Sequence, residues 1–117
     1  MAELNKNIKL GKEGERQAQK YLKKNGWKIL KTNWRNPFGE VDIIAKKDDT
    51  VAFIEVKTRL TDVFGAPSEA VQKVRKLKYI QGANYYFYNK NIDCTVRFDI
   101  IEIYKGEINH IENAFTA

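Results

Sequence analysis

From Val51 to Val56 the chain is apolar at every position but one, and that exception is Glu55. An almost unbroken apolar run of this length reads as a strand covered on both faces, which calls for a sheet with a layer packed on either side. A charged group within such a strand has to be compensated, because an unpaired buried charge costs several kcal/mol, on the order of a domain's whole margin of stability. The run therefore constrains both the architecture and the place to look for chemistry.

The flanking sequence supplies the layers. From about Ile8 to Asn25, Leu10, Gly14, Ala18, Tyr21 and Leu22 recur at helical spacing and Asn25-Gly26 provides a stop, so a first amphipathic helix is expected. Lys9, Lys12, Arg16, Lys20 and Lys23 gather on its opposite face, and Glu15 falls at the border of the apolar stripe. Strands are expected at Trp27–Trp34, Glu40–Ala45 and Val51–Thr58, the last two joined as a hairpin through Lys46-Lys47-Asp48-Asp49. Gly65-Ala66-Pro67-Ser68 breaks the chain, and Ser68 is placed to cap a second helix running to about Tyr88, with Val71, Val74, Leu77, Ile80 and Tyr85 as its apolar positions. Thr95–Tyr104 and a short Glu107–Ile111 close the order α-β-β-β-α-β-β. That order predicts an α/β sandwich around a mixed sheet, the second helix leaving room for a crossover to a non-adjacent strand.

With 117 residues, no internal repeat and no Pro- or Gly-rich linker, a single domain over 1–117 is expected, frayed at 1–5 and 114–117. No stretch approaches the roughly 20 apolar residues needed to cross a bilayer, and the first 25 residues are too charged for a signal peptide, so no membrane association and a cytoplasmic location are expected. The single Cys94 excludes an internal disulfide and a cysteine-rich zinc site, and reads as a small buried hydrophobe. Charge is unevenly spread. Residues 1–36 carry ten basic and three acidic side chains, and residues 73–92 carry five basic and none acidic. Two basic segments around an acidic middle favour a polyanionic partner such as nucleic acid over a merely soluble basic surface.

The acids are Gly39-Glu40-Val41-Asp42 and, thirteen residues after Asp42, Glu55 followed by Val56-Lys57. If the hairpin turn is centred between Asp48 and Asp49, Asp42 lies across from Glu55 with Cβ atoms about 4.5 to 5.5 Å apart, a repulsive pair unless something positive intervenes. A divalent cation would answer that repulsion. Oxygen ligands alone suit Mg²⁺ or Mn²⁺, and Lys57 beside the ion can orient water or stabilise charge on a phosphate in transition. A structural reading stays open: in the same register Glu40 faces Lys57, and the four residues can form two neutralising cross-strand pairs.

At these residues the sequence resembles the restriction-endonuclease-like (PD-(D/E)XK) nuclease superfamily, whose Asp, spacer, Asp or Glu, any residue, Lys is matched by Asp42, Glu55 and Lys57. More narrowly it is similar to the YraN-like family of small bacterial proteins related to Holliday junction resolvases. Gly11 with Gly14-Glu15, Gly39-Glu40-Val41-Asp42, Phe53 through Arg59, Phe64-Gly65, Lys73 and Arg97-Phe98-Asp99 carry that likeness over nearly the whole chain. The superfamily's common Pro before the Asp is Val41 here. The resemblance implies a restriction-endonuclease-like fold and a metal site made by Asp42, Glu55 and the main-chain carbonyl of Val56. It further implies Lys57 as catalytic lysine, Glu15 as a helix-borne acid completing the site, and a two-fold homodimer.

The expected function is thus a divalent-metal-dependent DNA endonuclease using Mg²⁺ or Mn²⁺, with branched or irregular DNA as its substrate and no small-molecule cofactor. Lys12, Arg16, Lys23, Arg59 and Lys73 are the expected nucleic-acid contacts, with surface ion pairs the alternative for Arg59 and Lys73. The alternative function is a non-catalytic nucleic-acid-binding module in a repair, recombination or DNA-uptake complex; a third is an interaction protein meeting an acidic partner. Tyr85 to Tyr88 read as core and rim residues, with stacking on unpaired bases the alternative; Trp27 and Trp34 read as packing residues, His110 as solvent-exposed with a proton shuttle the alternative, and Gly82 as a point of close packing against another helix or a second subunit.

Overall fold

The computed structural model describes residues 2–59, 69–90 and 93–116, with side chains from residue 11 in the first helix and from residue 72 in the second. The elements are α1 (Ala2–Lys24), β1 (Lys28–Asn36), β2 (Gly39–Lys47), β3 (Thr50–Arg59), α2 (Glu69–Phe87), β4 (Thr95–Tyr104) and β5 (Glu107–Phe115). This is the expected α/β order. The five strands form one sheet in sequence order, with β3 and β4 parallel and the other neighbours antiparallel. The crossover through α2 therefore lands directly beside β3, not on a non-adjacent strand.

Helix α1 begins six residues before its apolar periodicity does, since nothing between Ala2 and Asn7 breaks a helix. It ends where Gly26 adopts φ 88° and Trp27 N–H returns to Leu22 O at 2.9 Å. The expected helix cap at Ser68 and the Phe64-Gly65 pair lie outside the described residues.

The two helices cover opposite faces of the sheet. Ala18 and Leu22 of α1 pack on Ile43, Ala45, Ala52, Ile54 and Ile101. Tyr79 and Ala83 of α2 pack on Val41, Ile44, Val51, Phe53 and Phe98. Phe53 has no exposed surface and meets Tyr86, Phe87 and Phe98 within 6 Å between ring centroids. On α2 the sequence-based stripe is corrected. Val74, Leu77 and Tyr85 point to solvent, while Tyr79, Ala83, Tyr86 and Phe87 turn inward. Its apolar residues are spread around the helix among basic ones, so periodicity does not select the face; contact with Phe53 and Phe98 does. Cys94 is a half-buried free thiol against the same cluster.

Strand β5 runs four residues beyond its expected end, and a buried ionic cluster explains why. Asp99, fully buried, accepts from Arg97 Nε and Nη2 at 2.9 Å each and from Asn113 N–H at 2.9 Å. His110 Nε2 donates to Asp99 Oδ2 at 2.7 Å, and in the neutral ring Nδ1 accepts from Tyr21 Oη at 3.0 Å. The expectation of an exposed His110 is thereby overturned: its side chain is 6% exposed and links β5 to α1. Burial raises the Asp99 carboxyl, but bonds from His110, Arg97 and Asn113 overcome it and hold the group below its ordinary value of 3.8. A depressed carboxyl stabilises the fold above that value, and its contribution disappears as pH falls through the folded-state value. Asp99→Ala is expected to cost about 3 kcal/mol or more by leaving Arg97 and His110 without their acceptor. Urea unfolding at pH 7 and pH 3 checks both parts: the difference between wild type and mutant should be large at pH 7 and shrink in acid.

Candidate functional site

The β2–β3 ladder runs from Lys47↔Thr50 to Ile43↔Ile54, the register that a turn centred between Asp48 and Asp49 dictates. The next pair would be Asp42 and Glu55, but the paired ladder ends before it. Strand β2 continues along β1 to Asn36↔Gly39, while β3 continues along β4 to Arg59↔Tyr104, so the sheet forks at this point. Main-chain groups at a fork still need partners. Val56 N–H donates to Asp42 Oδ2 at 2.8 Å, and Asp42 N–H donates to the Tyr79 hydroxyl at 3.3 Å. That hydroxyl in turn lies 3.5 Å from the carbonyl of Ile54. A carboxylate and a phenol thus stand in for the missing ladder.

Strict alternation along β2 also slips here. Ile43 and Ala45 face α1, yet Val41 joins the cluster under α2. Opposite the slip, between Thr32↔Ile43 and Trp34↔Val41, Asn33 takes φ 48°, a left-handed conformation that asparagine tolerates better than most residues. The two cross-strand pairs of the structural reading do not form, because the β2–β3 ladder ends at Ile43↔Ile54; the ladder partner of Glu40 is Arg35 on β1 and that of Lys57 is Glu102 on β4.

Helix α1 reaches the fork through a glycine. A Cβ on Gly14 would fall onto Thr58 Oγ1 of β3, so only glycine allows this approach, and the next residue is Glu15. The electrostatics register the result. Burial pushes the Asp42 carboxyl up to about 7 despite the Val56 N–H, and the charges of Glu15, Glu55 and Glu40 push the same way. Burial, with the Asp42 charge next, also raises the Tyr79 hydroxyl. Glu55 is engaged by Arg75 of α2 at 3.9 Å, a half-exposed pair of small energetic weight. Neither Tyr79 nor Arg75 stood out in the sequence, since their relation to the fork depends on which face α2 presents.

Val56 N–H is bonded to Asp42, and Glu15 and Glu55 lie near enough for their charges to act on that carboxyl. The donors are all oxygen, but among the described residues no three Asp, Glu, His or Cys side chains form a group that could by itself hold a metal ion. Two carboxylates with main-chain oxygen and water suit a hard divalent ion that retains part of its hydration. The expected nucleic-acid contacts are more scattered. Lys12, Arg16 and Lys23 are exposed on α1, across the sheet from exposed Lys73 on α2. Arg16 is paired with Glu13 at 2.8 Å, and Arg59 with Glu102 at 3.2 Å.

The family model described as "Uncharacterised protein family UPF0102" matches residues 14–103. The chain belongs to the UPF0102 family. UPF0102 proteins of Thermodesulfovibrio yellowstonii and Clostridium acetobutylicum are similar to it at 49% and 46% identity, over 92% and 93% of this chain and 96% and 95% of theirs. One from Clostridioides difficile is 46% identical over 93% of this chain and 98% of its own. The span matched by the UPF0102 model contains Glu15, Asp42, Glu55, Val56 and Lys57 and leaves out Lys12 and His110. Among the described residues no helix is long and apolar enough to cross a membrane.

Without a cation, a carboxyl raised from 3.8 to about 7 stabilises the fold below its unfolded value and loses that contribution as pH rises to its folded value. In EDTA the wild type should therefore lose stability between about pH 4 and pH 7, by at most roughly 4 kcal/mol from this group. Asp42→Asn should remove most of that slope and be the more stable protein at pH 8. Urea midpoints across this range test it, and a mutant less stable than wild type throughout would contradict the stated burden on Asp42.

Proposed function

We propose that this protein is a divalent-metal-dependent hydrolase of DNA phosphodiesters. The observation that carries the reading is the Asp42 carboxylate at the strand fork, half-buried and pressed by Glu15, Glu55 and Glu40. Such a group favours a counter-charge, and the donors around it suit Mg²⁺ or Mn²⁺. The likeness of Asp42, Glu55 and Lys57 to the restriction-endonuclease-like signature supports the same reading.

When bound, the ion supplies a water of lowered pKa and neutralises charge on a phosphate oxygen. Asp42 and Glu55 provide carboxylate oxygens from two diverging strands, with Val56 O between Glu55 and Lys57 in the chain. The Val56 N–H fixes one oxygen of Asp42, which limits the rotation of that carboxylate before any ligand arrives. Lys57, half-buried two residues beyond Glu55, is the cation that would stabilise negative charge accumulating on the phosphate. Arg75 must yield Glu55 or share it when the site is loaded. That contact favours the second reading, a non-catalytic nucleic-acid-binding module in which Arg75 takes the role of the ion.

Incubating branched, single-stranded and duplex DNA with the protein in Mg²⁺ or Mn²⁺ separates the two. The hydrolase reading expects metal-dependent cleavage of at least one substrate, reduced a hundredfold or more by Asp42→Asn, Glu55→Gln or Lys57→Ala. Binding without cleavage of any substrate at micromolar protein would establish the module instead.

A further inference from the structure

Helix α2 presents a second apolar face outward. Phe38, from the β1–β2 turn, joins Gln81, Asn84, Tyr85 and Tyr88 around an open groove of about 270 Å³. Tyr85 and Tyr88 are 51% and 74% exposed, far more than packing residues at a helix end would be. Tyr85 is nonetheless held in place, with Phe38 edge-on at 6.4 Å and Trp34 tilted at 6.2 Å between centroids. Phe38 is fixed as well. Asn36 Oδ1 accepts from Phe38 N–H at 2.9 Å, and the Asn36 amide lies against Gly82, where an added Cβ would come within 3.2 Å of Nδ2. The close packing expected at Gly82 is therefore with this turn, and it fastens the turn to α2.

Pre-set aromatic rings beside two primary amides have a specific chemistry: rings stack on the faces of bases, and amides pair with their edges. The surroundings supply the rest. The segment from residue 73 to 92 carries Lys73, Arg75, Lys76, Lys78 and Lys90 with no acid. Lys78 extends along Gly39 at the base of the same turn, and Lys90 stands over the Tyr86 ring at 3.7 Å. A second copy docking by this face would bring an identical basic segment against it, which like-charge repulsion opposes. A polyanion with exposed bases meets both the charge and the rings.

We infer that this groove binds unpaired bases of a single-stranded nucleic acid, with Phe38, Tyr85 and Tyr88 as stacking surfaces and Lys78 and Lys90 on its phosphates. The inference deepens the hydrolase reading by naming the strand that the molecule holds. It is tested without divalent ion, so its failure is distinct from failure of cleavage. Fluorescence anisotropy in EDTA would compare a labelled oligo(dT) strand, an oligo(U) strand and a duplex of equal length. Tyr88→Ala and Phe38→Ala should each weaken binding of a single strand at least tenfold and change duplex binding less than twofold. Tyr88→Phe should bind as wild type does. A tenfold loss on either single strand supports the inference. Equal weakening on duplex, no weakening on either strand, or a fall in oligomer mass with strand affinity intact would overturn it.

Discussion

The ladder between β2 and β3 cannot continue past Ile43 and Ile54, and much of the molecule's character follows from how its orphaned polar groups are satisfied. Buried main-chain groups without partners are among the costlier defects a fold can carry, roughly 1 to 3 kcal/mol each. Here Val56 N–H turns to Asp42 and Asp42 N–H to Tyr79. The substitution draws a carboxylate into the sheet's interior and sets it beside Glu55. Thus the fork and the charge problem have one origin.

Two aspartates in the same sheet show opposite solutions to burial. Asp99 is surrounded by Arg97, His110 and the Asn113 amide, and its carboxyl is held low. The Asp42 carboxyl is held high, by burial first and then by three neighbouring acids, against a single amide bond. The first arrangement is self-sufficient and fastens β4, β5 and α1 together. The second is incomplete as a structural device, which is the pattern expected where environment is tuned for a ligand instead of for stability. Gly14 belongs to the second arrangement: by letting α1 touch Thr58 it adds another acid to a place already short of positive charge.

The hairpin register was legible because a tight polar turn fixes pairing arithmetic, and Asp42 and Glu55 stood out because acids are rare in apolar strands. The fork was not legible, since it depends on a break in alternation at Asp42 matched by the left-handed Asn33 on the neighbouring strand. The burial of His110 likewise required knowing that β5 pairs with β4 and brings it to Asp99, a contact eleven residues apart with a bulge between. On α2, residues at two helical stripes competed for the core, and only the rings beneath decided for Tyr79 and Ala83. The same competition left Val74, Leu77 and Tyr85 outside, so the misread face is the one that now has an exposed surface to account for.

Direct titration of Mn²⁺ into the protein by calorimetry bears most closely on the account of Asp42. One ion should bind per chain at pH 8, more weakly at pH 6 because a proton competes for a carboxyl whose value is about 7. Asp42→Asn should abolish the binding at both pH values. A wild type that binds no Mn²⁺ at millimolar concentration, or a mutant that binds it equally well, would contradict the central claim that the strand fork is built to hold a cation.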